Sequence, residues 1–403
     1  MAMKLFHISP ETNLDLLVDN LWDGQHEGYR QQVVISIRRG RIAAVQPREM
    51  QGTGNGTQQM RLTGLTVLPG LIDAHVHLAL DGIDFQASLD RWQDPLLRER
   101  VLARALRVSL EHGLVAIRDG SDREGLNLQA REWVRAGKYP GPRVVATGMA
   151  VNKKGKYGSF LGPGTTDPAS IRELVTDLVN RNVDQVKVVV SGLVTFHRYG
   201  EVGSLEFATA ELVEAVKTAH AAGRPVMAHV NSAPGVDLAL AAGVDSIEHG
   251  YFLTTAQLET MAARGTFWVP TVAAIANRLH TAKREVYPER EIDIIRRTQE
   301  SQQEMVARAH RLGVKLVVGT DAGAPGVYHG ESYLDELLYW YQAGIPAAAI
   351  LRAATVTAAA ALGLDGELGQ IRPGYRPCLI AVRGNPLENL KVLAQPEMVF
   401  IDN

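Results

Sequence analysis

The sequence contains very little cysteine, since Cys378 is the single thiol among 403 residues. One thiol excludes an internal disulfide and is typical of a protein of the reducing cytoplasm. No apolar run is long enough to span a bilayer, and the first ten residues lack the apolar segment of a signal peptide. We therefore expect a cytoplasmic protein without a membrane partner.

Charge of either sign is not in excess, because 42 basic residues meet 44 acidic ones and the formal net charge is −2. This balance gives no indication of nucleic acid or an anionic membrane as a partner. A hydrophobic fraction of 46% and a charged fraction of 21% are ordinary for a globular protein. The length suffices for one large domain and a smaller one.

The two ends of the chain predict β structure. The opening section has the pattern of short strands without an amphipathic helix, with a Gly/Thr/Asn/Gln loop at 51–59, and short β segments return after Leu364. The predicted strands are 13–21, 32–38 and 61–67, then 369–371, 378–382 and 398–401. We predict that residues 1–66 and 364–403 together form one small, discontinuous β-sandwich domain.

The middle of the chain alternates strands and helices. After a first strand that ends at His77, strands are predicted at 114–119, 143–147, 185–190, 225–229, 245–249, 267–272 and 315–319. Helices are predicted at 96–112, 126–136, 168–181, 209–222, 236–242, 254–264, 292–312, 332–343 and 346–362. Such alternation is typical of parallel βαβ units, and eight units in roughly 290 residues favour an α/β fold, a closed (β/α)8 TIM barrel, over residues 67–363.

Several helix starts carry recognisable capping residues. Asp167-Pro168 predicts an N-cap followed by proline at the first helical position. Thr209 is predicted as a second N-cap, and Thr254-x-x-Gln257 resembles a capping box.

The first barrel strand ends in two histidines, within Leu68-Pro-Gly-Leu-Ile-Asp-Ala-His-Val-His-Leu78. Because successive side chains of a strand point to opposite faces, His75 and His77 share a face. Two neighbouring imidazoles at a strand end form half of a metal site. The alternative is a pair of surface histidines on an edge strand.

Further polar residues follow other predicted strands, at the barrel end where the chemistry of this fold takes place. His229 ends strand 5, His249 ends strand 6 and Asp321 follows strand 8. Lys187 lies inside a run of valines on strand 4, and alternation points it into the barrel. Burial lowers a lysine pKa, and a neutral amine can react with carbon dioxide to give a carbamate, which is an anionic ligand. The alternative for Lys187 is a buried ion pair.

This set of residues resembles the amidohydrolase superfamily, whose metal sites combine His-x-His, a strand-4 lysine, two further histidines and a strand-8 aspartate. The flanking segments agree, namely Pro69-Gly-Leu-Ile-Asp-Ala-His75, 354–364 and Gly369-x-Ile-x-x-Gly374. The chain is most similar to the branch of imidazolonepropionase-like enzymes and metal-dependent Xaa-Pro or Xaa-Lys/Arg dipeptidases. One departure is Pro377-Cys378-Leu379, where that group usually has Ala-Asp-Leu.

The resemblance implies two divalent metal ions, zinc first, with manganese, iron or cobalt as alternatives. His75 and His77 would bind the more buried ion, His229 and His249 the more exposed one, and carboxylated Lys187 (N6-carboxylysine) would bridge them. Asp321 would be a ligand and the catalytic proton shuttle for a metal-bridging hydroxide. The implied reaction is hydrolysis of a C–N bond in a small molecule such as a dipeptide, an N-acyl amino acid or a cyclic amide. A homo-oligomer is expected from the same resemblance.

Substrate residues are sought in the loops at the same end of the barrel. The candidates are His197, Arg198, Tyr199, Tyr251 and His329. Arg198 could hold a substrate carboxylate in a bidentate clamp; a solvated loop is the alternative. A second candidate patch contains Lys153, Lys154, Lys156 and Tyr157, for which a solvated face is the alternative.

Two other classes of function stay open at this point. The same site could act on an ester, lactone, carbamate or phosphotriester, or deaminate a ring, because fold does not select among these reactions. Lys187 counts against deaminase branches, which usually use one metal ion. The chain could also be a non-catalytic structural relative, although such relatives typically lose metal ligands.

Overall fold

The computed structural model describes residues 3–50, 57–280 and 287–402. Most of the predicted loop at 51–59 therefore lies outside the described residues. The strands are β1 (Lys4–His7), β2 (Leu14–Leu21), β3 (Arg30–Arg38), β4 (Arg41–Pro47), β5 (Gln58–Pro69), β6 (Leu71–Val76), β7 (Leu114–Asp119), β8 (Arg143–Val145), β9 (Val186–Val189), β10 (Val226–Val230), β11 (Ser246–His249), β12 (Phe267–Val269), β13 (Lys315–Leu316), β14 (Leu379–Arg383) and β15 (Met398–Ile401).

The helices lie almost entirely between the barrel strands. They are α1 (Phe85–Arg91), α2 (Pro95–Glu111), α3 (Leu126–Arg135), α4 (Pro168–Asn180), α5 (Thr209–Ala221), α6 (Ala233–Ala242), α7 (Thr255–Arg264), α8 (Ala273–Ala276), α9 (Glu289–Leu312), α10 (Glu331–Gln342), α11 (Ala347–Ala354) and α12 (Val356–Ala361). No helix within the described ranges is both long and apolar enough to cross a membrane.

One seven-stranded sheet combines both ends of the chain, in the order β1-β15-β14-β5-β2-β3-β4. β14 pairs antiparallel with β5 and β15, while β1 pairs parallel with β15. Leu16, Ile35 and Leu62 from the N-terminal part pack in one buried cluster with Leu379 and Phe400 from the C-terminal part. The β domain is therefore built from both termini, as predicted, and its boundaries at 66 and 364 stay a prediction.

The remaining eight strands form two parallel sheets, β6-β7-β8 and β9 to β13. Backbone hydrogen bonds join them at both edges. At one seam Ala74 N donates to Val318 O (3.0 Å); at the other Val151 N donates to Lys187 O (2.8 Å) and Val189 N to Val151 O (2.9 Å). The eight strands thus enclose a ring, which confirms the predicted TIM barrel.

The strand that carries the two histidines continues directly from the β domain. β5 ends at Pro69, β6 begins at Leu71, and only Gly70 separates them. A Cβ atom on Gly70 would lie 2.2 Å from Cγ1 of Val115, so the residue type is set by close packing against β7. His75 and His77 therefore sit on a strand fixed at its base by both domains.

Most predicted helix starts agree with the structure. Asp167 caps α4 by accepting from Ser170 N (2.9 Å), and Thr254 and Gln257 form the predicted capping box of α7. Thr209 is the first helical residue of α5 and not its N-cap, which is Ala208. The predicted strand at 369–371 was wrong, since Ile371 N donates to Asp23 O outside any strand.

Candidate metal centre and active site

The six predicted ligand residues lie together at the carboxyl ends of the barrel strands. Ligand atoms of His75, His77 and Asp321 lie within 4.8 Å of one another. Oδ1 of Asp321 is 3.6 Å from Nε2 of His75 and 3.5 Å from Nε2 of His77. The last strand of the ring thus brings a carboxylate to the histidines of the first.

The other three residues complete the cluster. Nζ of Lys187, which is fully buried, lies 3.2 Å from Nε2 of His75. The ring centroid of His249 is 4.9 Å from that of His75 and 4.6 Å from that of His229. The structure therefore brings all six residues together, while their roles as ligands stay a prediction.

Three of the imidazoles are held through Nδ1 by groups outside the cluster. Nδ1 of His75 lies 2.6 Å from Oε2 of Glu248, and Nδ1 of His77 lies 3.0 Å from the carbonyl oxygen of Ser121. Nδ1 of His249 lies 2.8 Å from Oγ1 of Thr271. Because a carboxylate and a carbonyl can only accept, Nδ1 of His75 and His77 carries the proton and Nε2 keeps its lone pair for a metal ion.

Burial also favours the neutral form of these histidines. It is the main cause that lowers the pKa of His75, His229 and His249 well below the usual value, and it lowers the pKa of His77 to about 3. Burial likewise lowers the pKa of Lys187. Divalent metal ions bind the neutral form of imidazole, and carbamate formation needs the neutral form of the lysine amine. The residues of the cluster therefore fit the predicted metal ions.

A buried network that was not predicted from the sequence lies beneath the histidines. Arg118 Nη2 donates to Oε1 of Glu248 (2.8 Å), and Arg118 Nε donates to the carbonyl oxygen of Ala74 (2.7 Å). Arg118 Nη1 reaches Oε1 of Gln185 (3.0 Å). Both members of the Arg118–Glu248 pair are almost completely buried. The pair therefore fixes the carboxylate that orients His75.

The backbone leaves regular strand geometry where the side chains of the cluster begin. Strand register places Lys187, His229 and Glu248 on the interior side, because Lys187 pairs with Met227 and His229 pairs with Glu248. Continued alternation would point His249 outward. Instead His249 has φ +66° and Asp321 has φ +63°, and Thr271 and Ser121 are also left-handed. Such residues cost about 1–3 kcal/mol each and concentrate at functional sites.

A cleft with about 560 Å³ of empty volume, part of it open to solvent, lies above the cluster. Its lining is His77, Tyr157, Leu161, Leu193, Val194, Phe196, His229, Asn231, His249, Tyr251, Ala274, Ile275, Arg278, Asp321 and Ala324. Of the five predicted substrate residues, Tyr251 is in this lining. From the patch at 153–157, Tyr157 is in the lining, while Lys153 bonds Thr166 O and Glu211.

The other predicted substrate residues lie elsewhere. His197 and Arg198 are exposed, with His197 Nδ1 3.4 Å from Oε1 of Glu291. Tyr199 packs against the guanidinium of Arg297 (4.1 Å to the ring centroid). His329 is buried and its Nε2 lies 2.9 Å from Leu80 O, beside a separate cavity.

The fold of the loop after β9 explains three of these positions. Antiparallel bridges join Ser191 to Leu205 and Val194 to Val202, so the loop forms a hairpin with residues 197–199 near its tip. Its base supplies Leu193, Val194 and Phe196 to the cleft. Among the described residues, Arg278 is the one basic side chain, lysine or arginine, in the cleft lining. Its position there was not predicted from the sequence.

Comparison with known proteins gives a consistent result. Residues 66–402 match the sequence profile of the amidohydrolase family. The chain is 27% identical over 362 residues to an ochratoxinase of Aspergillus niger, covering 83% of this chain and 73% of that protein. It is 28% identical over 340 residues to an uncharacterised protein of Mycobacterium tuberculosis, covering 83% of this chain and 84% of that one.

Among solved structures, a Xaa-Pro dipeptidase with methionine bound in the active site superposes with a TM-score of 0.84. It shares 26% sequence identity, and the match covers 96% of this chain and 98% of that one. The profile match over most of the chain, the shared fold and the clustered histidines agree. The chain belongs to the amidohydrolase family, and it is a hydrolytic enzyme.

Proposed function

We propose that this protein is a binuclear metal-dependent hydrolase that cleaves the C–N bond of an amide in a small substrate such as a dipeptide or an N-acyl amino acid. The observation that carries the proposal is the approach of Lys187 Nζ to His75 Nε2 (3.2 Å) inside a cluster that also contains His77 and Asp321. A fully buried lysine amid neutral imidazoles is hard to explain as a structural residue.

His75 and His77 would hold one divalent ion, and His229 and His249 a second, with carboxylated Lys187 between them. Zinc suits this ligand set best, and manganese, iron or cobalt fit at some cost in affinity. When bound, such ions lower the pKa of a water ligand and polarise a substrate carbonyl.

Asp321 would move the proton. Burial is the main cause that raises its pKa, while the nearby charges of Lys187 and Arg278 act against that shift. Asp321 would accept a proton from the attacking water and deliver it to the leaving nitrogen. In the balanced reaction a C–O bond forms at the carbonyl carbon and the C–N bond breaks. Both protons of the water end on the leaving nitrogen, so near neutral pH the products are a carboxylate and an ammonium ion.

The relatives support an amide substrate that contains an amino acid. A dipeptidase acts on the amide bond between two amino acids, and methionine bound at its active site is an amino acid. A cytoplasmic location and a homo-oligomeric state stay predictions for this protein, which fractionation and light scattering of the purified protein would test.

The first experiment measures metal content and amide hydrolysis on protein produced with added zinc and bicarbonate. We expect close to two metal ions per chain and turnover of dipeptides or N-acyl amino acids. Lys187→Ala should hold at most one ion and lose at least about a hundredfold in activity. Lys217→Ala, an exposed lysine on α5, is the matched control. A Lys187→Ala enzyme with two ions and full activity would disprove the binuclear site.

A further inference from the structure

Arg278 is a cationic residue of the cleft that contacts no acidic side chain among the residues that the structure describes. It follows α8, on a short 3-10 turn at Asn277–Leu279, and is half-buried. Its Nε donates to Ala274 O (3.2 Å) and its Nη1 to the hydroxyl of Tyr287 (2.8 Å). Its guanidinium carbon lies 5.3 Å from the ring centroid of Phe196. Within the described ranges it makes no ion pair with a carboxylate.

Arg118 and Arg131, which are more deeply buried than Arg278, are paired with acids. Arg118 contacts Glu248 at 2.8 Å, and Arg131 contacts Asp184 at 2.8 Å. A partly desolvated guanidinium without a counter-ion carries an energetic cost that a bound carboxylate would offset. The positive charge of Arg278 acts to lower the pKa of Asp321, so it contributes to the electrostatic potential in the cleft.

A second polar group of the cleft also lacks a partner. Asn231 is 1% exposed and its Oδ1 accepts no hydrogen bond within the described part of the chain. Its Nδ2 donates to the carbonyl oxygen of Gly192 (3.0 Å), which fixes the orientation of the amide because a carbonyl can only accept. The Oδ1 atom is itself buried, so it is an unused acceptor at the wall of the cleft and not an exposed binding group.

Part of the cleft wall is apolar. Leu161, Leu193, Val194, Phe196 and Ile275 provide aliphatic and aromatic surface in the cleft that Arg278 also lines. A ligand that complements Arg278 and these apolar residues has a carboxylate for the guanidinium fork and an apolar side chain. N-acyl derivatives of apolar amino acids, including dipeptides, have both features, whereas neutral cyclic amides and neutral esters lack the carboxylate.

We propose that Arg278 binds the carboxylate of the substrate, and that the substrate class is an N-acyl derivative of an apolar amino acid. This inference rests on the proposed function, and it narrows that function to acidic substrates. The carboxylate held by Arg278 is not altered in the reaction, which adds water across the C–N bond of the neighbouring amide. Arg278 is thus a specificity-determining residue.

The test compares N-acetyl-L-phenylalanine with N-acetyl-L-phenylalaninamide, whose carboxylate is replaced by a neutral amide. For the metal-loaded wild type, kcat/KM for acetate release from the acid should exceed that for the neutral analogue by about 10–100-fold, as expected for a charge-assisted pair. In Arg278→Met this ratio should fall below about fivefold, mainly through KM. Arg278→Lys should keep part of the preference, and Arg296→Met, exposed on α9, should keep all of it.

Binding provides a readout that does not depend on turnover. Titration calorimetry with L-phenylalanine should give a Kd about tenfold or more weaker for Arg278→Met than for the wild type. A wild-type enzyme that does not prefer the acid, or an Arg278→Met variant that keeps the wild-type ratio and Kd, would overturn the role of Arg278. Absence of any amide turnover would instead contradict the proposed function, and the calorimetric comparison would still decide the role of Arg278.

Discussion

The orientation of a single imidazole in this site depends on residues that are not ligands themselves. His249 illustrates this, because its backbone is left-handed and its Nδ1 contacts the hydroxyl of Thr271, which is itself left-handed and fully buried. Two strained residues therefore support each other through one hydrogen bond. A hydroxyl in this position fixes the ring plane of His249 and the direction of its Nε2 lone pair.

Replacing Thr271 by valine should weaken metal binding by about 10–100-fold, because the new side chain has the same shape but no group for Nδ1 of His249. The free energy of unfolding should fall by about 1 kcal/mol. Competition with a chelator measures the first effect and chemical denaturation the second. Thr298→Val is the matched control, since Thr298 is equally buried but its hydroxyl bonds to Ile294 O within α9. Equal metal affinities for the two variants would contradict this role of Thr271.

The sequence was sufficient to find the six clustered residues because five of them occur in or at the ends of apolar strands, where the barrel fold carries its chemistry. It was not sufficient for Glu248, since strict alternation cannot place both Glu248 and His249 inside the barrel. The left-handed backbone at His249 breaks the alternation, so both side chains can point into the barrel. The residue types in this segment do not predict that conformation. Arg278 was missed because a lone arginine in a short turn has no sequence signature.

At the scale of elements, the capping box of α7 also connects two neighbouring helices. Oγ1 of Thr254 accepts from Gln257 N (3.3 Å), and Gln257 Oε1 accepts from Thr254 N (2.8 Å). Gln257 Nε2 donates in addition to Oδ1 of Asp237 on α6 (2.8 Å). The residues that start α7 thus hold it against α6.

Thr254→Ala should lower the free energy of unfolding by about 1 kcal/mol, because the backbone N–H of Gln257 loses its acceptor and the box can no longer form. Thr260→Ala provides the control within the same helix. Thr260 is half-buried and its hydroxyl bonds to Ala256 O within the helix, so alanine there should leave stability nearly unchanged. Urea titration distinguishes the two variants, and equal midpoints would count against the capping role.

Element boundaries were predicted well where a cap or a glycine marks them and poorly elsewhere. α1 was missed because Phe85–Arg91 is short and buries only Ser88, so it lacks an apolar period. The helix predicted at 346–362 is two helices, α11 and α12, which meet at Thr355 with φ −132° and ψ −78°. Thr355 is buried, and its tertiary environment, which no local pattern reveals, sets this break.

At the scale of the whole molecule, the barrel and the β domain are joined by ion pairs around Glu367. Oε2 of Glu367 accepts from Arg143 Nη1 (2.5 Å) at the start of β8 and from Arg376 Nε (2.8 Å) before β14. Arg376 Nη1 also donates to Oδ2 of Asp402 (2.6 Å) beyond β15. Burial acts to raise the pKa of Glu367, but the two arginines together outweigh it and lower this pKa to about 2.

Glu367→Gln should destabilise the protein by about 1 kcal/mol near pH 7, a value reduced for the partial exposure of the side chain. A carboxyl group whose pKa is lowered on folding stabilises the native state above its unfolded pKa, near 4.5, and this contribution is lost as the pH falls toward 2. The stability difference between wild type and variant should therefore shrink from pH 5 downward. Denaturation curves across this range test it, with exposed Glu259→Gln as the control; a constant difference would refute the linkage.

The fold class was predictable from the sequence because strand and helix patterns repeat eight times and β segments occur at both ends. The closure of the ring was harder to predict from the sequence, because β13 has only two residues. The seam between β13 and β6 depends on isolated hydrogen bonds between residues 74–77 and 318–322. Such contacts join distant parts of the chain and leave no local pattern.

The direct passage from β5 through Gly70 into β6 has a consequence for the order of folding. The strand that leads to His75 and His77 is made long before its neighbour across the seam, residues 318–322, and β15 joins the seven-stranded sheet later still. Pairings between such distant segments form slowly, because the loop between them must first be closed at an entropic cost. The nascent chain therefore carries His75 and His77 before Glu248 and Asp321 are made, and we expect the cluster to assemble late in folding.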